Sequence, residues 1–331
     1  MKKISLFICF CILFSAILTS CAPATNNAVQ GYDSKRYVYL VMGIDDAAKN
    51  TDVLFTMSYD SAAGAVRVAQ IPRDTYYNFG RSQNKINQLY ATKLSDGKGE
   101  SEALGEVCRE VSSAFGAKID GYIGITIGTF KKIVDAIGGI DIEISEDMTL
   151  VFDSDEAPVV LKKGKNHIDG NIAEHFVRYR QGYAMGDLGR IDAQKIFLNA
   201  LFGKILSGLT LPDMIKVINS FQKEVITDIK VADVISTFIE AVGNKDKKTA
   251  FYATVPGEPI ISSGGLSYYV LNRKSAAEMA KNYMFADGEF DRERKFLNSA
   301  ESGFINIYED DGISLREYSN ENVSDMHIIS G

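Results

Sequence analysis

The sequence predicts an α/β fold, three layers in the order α/β/α around a central mixed sheet. Apolar β-rich runs and stretches of helical spacing interleave along the chain instead of segregating. Of the 331 residues, 46% are hydrophobic and 24% charged, the balance of a folded globular chain. No internal repeat points to a solenoid.

The elements follow in order. Tyr37-Val38-Tyr39-Leu40-Val41-Met42 is a continuous β-rich run, and Val53 to Tyr59 and Val66 to Ile71 come after it, each bounded by Gly, Asp, Asn or Pro. Three closely spaced strands therefore open the sheet. Asn84 to Lys93 and Gly99 to Phe115 have helical spacing, Tyr122 to Thr126 reads as a strand, and Thr129 to Ile137 as a helix ended by Gly138-Gly139. Ile140 to Ile144 alternates with Asp141 and Glu143 as a half-buried strand does. Asp187 to Leu206 is a long amphipathic helix, Val231 to Val242 another, Thr249 to Val255 a returning strand and Lys274 to Tyr283 a last helix. One domain thus covers residues 36–285. From 286 to 331 charges and Gly dominate, with one apolar stretch, Phe304 to Tyr308; this tail adds an edge strand or stays loose.

Residues 1–20 are read apart from the fold. Lys2 and Lys3 form a basic start, Ile4 to Leu18 an apolar run, and Leu18-Thr19-Ser20-Cys21 sets small residues before a cysteine. This is the pattern of an export signal, shorter than the ~20 apolar residues of a spanning helix. It resembles a lipobox, so Cys21 is the expected lipidation site; a simple membrane anchor or secretory signal is the alternative. Residues 21–35 are small and polar and read as a tether. The expected location is the extracytoplasmic face of the membrane, lipid-anchored. Cys9 and Cys11 fall in the leader, and with Cys21 lipidated only Cys108 remains, read as a buried core residue; no intramolecular disulfide is expected.

The formal net charge is −7, and the leader carries two lysines and no acid, so the rest of the chain is at −9. Such a balance argues against sequence-independent nucleic-acid binding. An anionic ligand would need a localised basic pocket. The chain lacks Gly-x-x-x-x-Gly-Lys-Ser/Thr, Gly-x-Gly-x-x-Gly and Gly-x-Ser-x-Gly, and His167, His175 and His327 lack zinc-ligand spacing. A P-loop, a dinucleotide site, a hydrolase elbow and zinc chemistry are all disfavoured.

Carboxylates and arginines at element ends remain. Asp45 and Asp46 follow the first strand and Asp52 opens the second, so strand-end carboxylates can converge on a hard cation such as Mg²⁺; the same residues also suit a solvated, Asx-capped turn. Arg73 follows the third strand in Ile71-Pro72-Arg73-Asp74-Thr75, placed to clamp phosphate oxygens or to pair with Asp74. Arg178 and Arg180 in Phe176-Val177-Arg178-Tyr179-Arg180 point one way only if that stretch is extended, and Arg190 and Gln194 lie one turn apart on a helix. Together they form an anion site or a solvated basic face.

In order and spacing, Gly43-Ile44-Asp45, Thr51-Asp52, Ile71-Pro72-Arg73-Asp74-Thr75, Lys85-Ile86-Asn87, Val134 to Ile140, Arg178-Tyr179-Arg180 and Asp187-Leu188-Gly189-Arg190-Ile191 with Gln194 resemble the LytR-CpsA-Psr family. Val255-Pro256-Gly257 and Ser267 to Val270 extend the likeness to about Tyr283. The resemblance implies a Mg²⁺-dependent phosphotransferase. Such an enzyme moves a glycopolymer, such as teichoic acid or capsular polysaccharide, from a polyprenyl-pyrophosphate carrier onto peptidoglycan. It implies Asp45 and Asp52 as metal ligands, and Arg73, Lys85, Arg178, Arg180, Arg190 and Gln194 as substrate-binding residues. Asp74 and Asp187 are the candidate bases beside a catalytic Arg73. A groove for the polyprenyl tail is expected from Phe130, Ile133, Val134 and Ile137 with Phe197, Leu201 and Ile205, unless these are ordinary core. The chain departs from the family pattern at Ala47, Asn50, Gln88 and Ala193, where basic or polar residues are usual. A polyprenyl-pyrophosphate hydrolase and a non-catalytic polyprenyl- or glycan-binding lipoprotein are the rival readings.

Overall fold

The computed structural model describes residues 36–60, 65–80, 84–115, 118–152, 157–179, 187–205, 209–243, 249–261, 265–271, 276, 279 and 327–330. The leader, Cys21 and the tether lie outside the described residues, as do most of the predicted last helix and of the tail. All that follows concerns the unit Ser34–Gly331.

The chain opens with strands β1 (Arg36–Ile44), β2 (Thr51–Asp60) and β3 (Ala65–Gln70). A 3₁₀ turn, Ile86–Gln88, leads into helices α1 (Leu89–Ser95) and α2 (Glu100–Phe115), then β4 (Gly121–Thr126) and α3 (Ile127–Ala136). Four short strands follow: β5 (Ile140–Ile144), β6 (Met148–Leu150), β7 (Val159–Leu161) and β8 (Gly164–Ile168). Next come α4 (Gly170–Arg178), α5 (Asp187–Gly203), α6 (Leu211–Phe221), β9 (Ile226–Thr227) and α7 (Val231–Gly243). Strands β10 (Thr249–Thr254), β11 (Gly257–Ile261), β12 (Ser267–Leu271) and β13 (His327–Ser330) complete the described chain.

The seven-stranded sheet runs β13-β10-β3-β2-β1-β4-β9. β1 pairs parallel with β4 and antiparallel with β2, β2 antiparallel with β3, and β3 parallel with β10, so β1, β3, β4 and β10 point the same way. The sheet is mixed and covered on both faces, which is why β1 reads as a continuous apolar run rather than an alternating one. Leu40, Met42 and Ile44 bury against Leu104, Val107 and Val111 of α2. On the opposite face Val41, Phe55 and Val68 meet Leu198 and Phe202 of α5.

Among the described residues the predicted strands and helices are present, while α4, α6, β8, β11 and β12 are elements that the sequence leaves unmarked. α1 starts later than the helical spacing indicates, because Asn84 sits at φ 50° and Lys85 is extended, so only a 3₁₀ turn can form before Leu89. α5 is not amphipathic: Ala193 and Phe197 bury against the layer built by α3, α4 and β5–β8, while Leu198 faces the sheet. A helix wedged between two layers keeps only a narrow exposed edge, here, among the described residues, at Asn199 and Gly203. In the tail, β13 pairs antiparallel with β10 as an edge strand, while Phe304 to Tyr308 lies outside the described residues. Strands β6, β7 and β9, of two or three residues each, are too short for a period to register in sequence.

The α3–α4 junction is a close backbone approach. Gly170, the first residue of α4, donates its N–H to the Asp135 carboxylate at 2.7 Å, and a Cβ at Gly170 would collide with the backbone carbonyl of Lys131. Gly170→Ala should therefore cost about 1–3 kcal/mol, seen as a lower urea midpoint at unchanged slope. A midpoint equal to wild type would mean that the two helices slide apart freely.

Candidate functional site

The carboxyl ends of β1, β3 and β4 open onto one edge of the sheet, and β2, running the other way, starts there. Ligand sites of open α/β sheets form at such ends. The β1–β2 register shifts between Gly43 and Ile44, so Ile44 faces Thr51 and the chain between them closes into a tight loop. In that loop the Asp45 N–H donates to the Asn50 carbonyl at 2.9 Å, and Lys49 adopts φ 55°. The Asp45 carboxylate accepts from the N–H groups of Ala47 (3.1 Å) and Ala48 (2.6 Å), which fixes it as an Asx turn. Asp46 accepts from Gly128 N–H at 3.2 Å, in the first turn of α3.

Asp52 is the second residue of β2. Continuing the β2–β3 register beyond Phe55–Gln70 sets Asp52 opposite Arg73, and Arg73 Nη1 donates to Asp52 Oδ1 at 3.0 Å. Pro72 carries no N–H and ends the ladder; Thr75 turns the chain by donating to the Pro72 carbonyl from both its N–H and its hydroxyl. Beyond the turn Lys85 Nζ donates to Asp74 Oδ1 at 3.0 Å, with Arg73 Nε 3.9 Å from the same oxygen. The Lys85 ammonium also lies 5.4 Å over the Tyr268 ring. Asp52, Arg73, Asp74 and Lys85 thus form a half-buried row of alternating charge.

Beside this row is a cleft of about 400 Å³. Asp45, Asp52, Arg178 and Gln194 are its polar lining; Ile44, Val53, Ile127, Leu150, Val151 and Val177 form an apolar wall; His175 and Tyr179 complete it. Arg178 ends α4 and donates from Nη1 to Glu174 Oε1 at 2.9 Å, while Lys131 Nζ lies 3.0 Å from Glu174 Oε2. Burial pushes the Glu174 carboxyl up, but Lys131 and Arg178 outweigh it and hold it below the usual Glu range. Gln194 is 4% exposed: its oxygen accepts from Gln70 Nε2 at 3.1 Å and its own Nε2 donates to the Val177 carbonyl at 3.3 Å.

Of the residues expected to act, Asp45, Asp52, Arg178 and Gln194 therefore share one cleft. Arg73 adjoins it through Asp52, and Asp74 and Lys85 stand behind Arg73, bonded to each other. Arg180 lies outside the described residues; Asp187 and Arg190 belong to α5, and their side chains are likewise outside the description. The described part of the 176–180 stretch, 176–179, is not extended throughout: Phe176, Val177 and Arg178 are helical, and Tyr179 turns to φ −61°, ψ 129°. Of the expected groove residues, Val134, Ile137 and Phe197 are core, buried together with Phe130 and Leu201 packed against them and the Phe130 and Phe197 rings 5.2 Å apart. Of the apolar wall, Ile44, Val53 and Val177 lie in runs that the sequence marks, whereas Ile127, Leu150 and Val151 lie outside them. Glu174 also went unmarked, although its i, i+4 spacing to Arg178 was a usable sign. Cys108 is buried as expected; burial, then the nearby Asp228, pushes its thiol up to about 12, which leaves it inert at neutral pH.

Mg²⁺ is usually held by one or two carboxylates with substrate phosphate oxygens and water completing its shell. Among the described residues no group of three or more His, Cys, Asp or Glu converges to make an all-protein cage. Two carboxylates, Asp45 fixed in its loop and Asp52 at the start of β2, face one cleft with an arginine and fit the substrate-completed kind of site.

A family model, described as the LytR_cpsA_psr family, matches residues 18–284. The chain is 29% identical over 218 residues to the polyisoprenyl-teichoic acid–peptidoglycan teichoic acid transferase TagV of Bacillus subtilis strain 168. That match covers 63% of this chain and 54% of the relative, so the chain spans about half the length of TagV. Over 238 residues it is 25% identical to TagU of Oceanobacillus iheyensis, a transferase of the same name, with 70% of each chain covered. A crystal structure of B. subtilis TagV aligns with a TM-score of 0.63 at 25% identity, covering 76% of this chain and 96% of that one.

The charge row yields a stability prediction. Arg73→Ala leaves Asp52 and Asp74 without their shared guanidinium and should cost about 1–3 kcal/mol. Arg73→Lys should recover only part, since a single ammonium cannot reproduce the planar fork. Urea unfolding measures both; an Arg73→Ala midpoint within error of wild type would remove the row's structural role.

Proposed function

The chain belongs to the LytR_cpsA_psr family, and from that premise we propose that it is a phosphotransferase acting in cell-wall assembly. It moves an anionic glycopolymer, such as teichoic acid or capsular polysaccharide, from a polyprenyl-pyrophosphate carrier to peptidoglycan. Its relatives TagV and TagU carry names for such a transfer. The observation that carries the reading is a single cleft in which two fixed carboxylates and an arginine meet an apolar wall. A polyprenyl pyrophosphate has the matching halves, a charged head and a hydrocarbon tail. A lipid on Cys21 would hold the domain at the extracytoplasmic membrane face, where such a carrier resides.

Asp45 and Asp52 would hold Mg²⁺, which when bound neutralises pyrophosphate charge. Arg178 and Arg73 bind pyrophosphate oxygens and stabilise the charge that grows on the leaving group. Ile44, Val53, Ile127 and Val177 receive the first isoprene units and exclude water from the anhydride. A peptidoglycan hydroxyl then attacks the glycopolymer-side phosphorus: its O–P bond forms, the bond to polyprenyl phosphate breaks, and the hydroxyl proton leaves to a base. Asp74 and Asp187 are the carboxylates proposed for that proton, with Arg180, Arg190, Lys85 and Gln194 in supporting contacts to the substrate.

Incubation with a polyprenyl-pyrophosphate glycan, Mg²⁺ and peptidoglycan fragments tests this. Mass spectrometry should find a phosphodiester-linked conjugate with polyprenyl phosphate released alongside, and Asp45→Asn should reduce the rate roughly 100-fold or more. Free glycan phosphate as sole product at saturating acceptor would mean a hydrolase, and an intact donor would mean a binder; either outcome contradicts the transfer.

A further inference from the structure

α4 buries Gly170, Ala173, Phe176 and Val177 along one stripe. Glu174 and Arg178, one turn apart, lie together off that stripe, with the acid N-terminal to the base, the favoured order on a helix. An exposed pair of this kind holds little. Here, however, the Glu174 side chain is only 13% exposed and each of its oxygens meets a different cation, Arg178 Nη1 at 2.9 Å and Lys131 Nζ at 3.0 Å. Lys131 is itself fixed on α3: its ammonium donates to Asn171 Oδ1 at 2.9 Å, and its backbone abuts Gly170 at the close α3–α4 junction. The carboxylate is thus pinned from a second helix and cannot follow Arg178 if the guanidinium swings away.

We propose that Glu174 is a positioning residue that sets Arg178 for the pyrophosphate end of the substrate, with Lys131 as its anchor; this rests on the reading of the cleft given above. A free arginine loses rotamer freedom when it engages an anion, and tethering one N–H beforehand removes part of that cost while four N–H groups remain for the ligand. The alternative, a plain charge effect, has the opposite sign. A carboxylate next to an anion site repels the ligand, so if charge alone counted, neutralising Glu174 would tighten binding.

Two measurements on the whole chain decide: ¹⁵N relaxation of the Arg178 Nε–Hε group without ligand, and calorimetric titration with inorganic pyrophosphate in the presence of Mg²⁺. Glu174→Gln, which preserves shape, should turn Arg178 from ordered to mobile on the nanosecond scale and weaken pyrophosphate about fivefold to tenfold. Lys131→Met should act in the same direction through the other oxygen. In an Arg178→Ala background, Glu174→Gln should add no further loss. Unchanged order of Arg178, or tighter pyrophosphate binding in Glu174→Gln, overturns the proposal. If Arg178 loosens in Glu174→Gln but the wild-type chain takes up no pyrophosphate, the tether stands and the assignment of the cleft to pyrophosphate falls.

Discussion

The contact from Arg73 to Asp52, 3.0 Å long, is where the fold and the site become one problem. It lies in line with the antiparallel register of β2 and β3, one strand arriving at the sheet edge and the other leaving it. A slip of one residue in that register would turn Asp52 to the other face of β2 and away from Asp45. The β1–β2 shift at Gly43–Ile44 is constrained in the same way, since it sets the loop that fixes the Asp45 carboxylate. Gly43 makes the shift possible because a side chain there would press on Val53.

Half-burying four charges has a cost that only mutual pairing offsets. Arg73 serves Asp52 and approaches Asp74, Lys85 serves Asp74, and the Tyr268 ring beneath Lys85 adds a favourable face for its ammonium. That ring is delivered by the β11–β12 hairpin, whose Tyr269 N–H donates to the Asp74 carbonyl while the Tyr269 carbonyl accepts from Tyr76. A late segment of the chain thus closes over the early Ile71–Thr75 turn. Desolvation by burial raises the Tyr268 hydroxyl, and the charges of Tyr76 and Asp74 raise it further, so it stays neutral at physiological pH.

Much of this was legible in sequence, and the rest was hidden for identifiable reasons. Apolar runs marked β1 to β3, and Asp45, Asp52 and Arg73 stood out because charge directly after a buried strand has few purposes. Arg178 stands out through its motif, but its helical setting does not, since α4 is only nine residues long. Gln194 looked like a polar helix-face residue; its burial with Gln70 depends on two residues 124 apart in sequence, which no local pattern encodes. Groove and core could not be told apart for the α3 and α5 residues because an apolar helix stripe specifies burial and leaves the partner open. In α3 and α5 that partner is a shared core with α4 and β5, in which the Phe130 and Phe197 rings also meet.

At one sheet edge, register, a bulged turn and a proline-ended strand bring acids and arginines beside an apolar wall. A crystal structure of the chain with Mn²⁺ in place of Mg²⁺ and a short prenyl pyrophosphate tests that claim most directly, because anomalous scattering locates the ion. The account predicts an anomalous peak at Asp45 and Asp52 with the pyrophosphate held by Arg178 and Arg73 and the prenyl chain along Val53 and Val177. A pyrophosphate bound elsewhere, or an ion that avoids both aspartates, would contradict it.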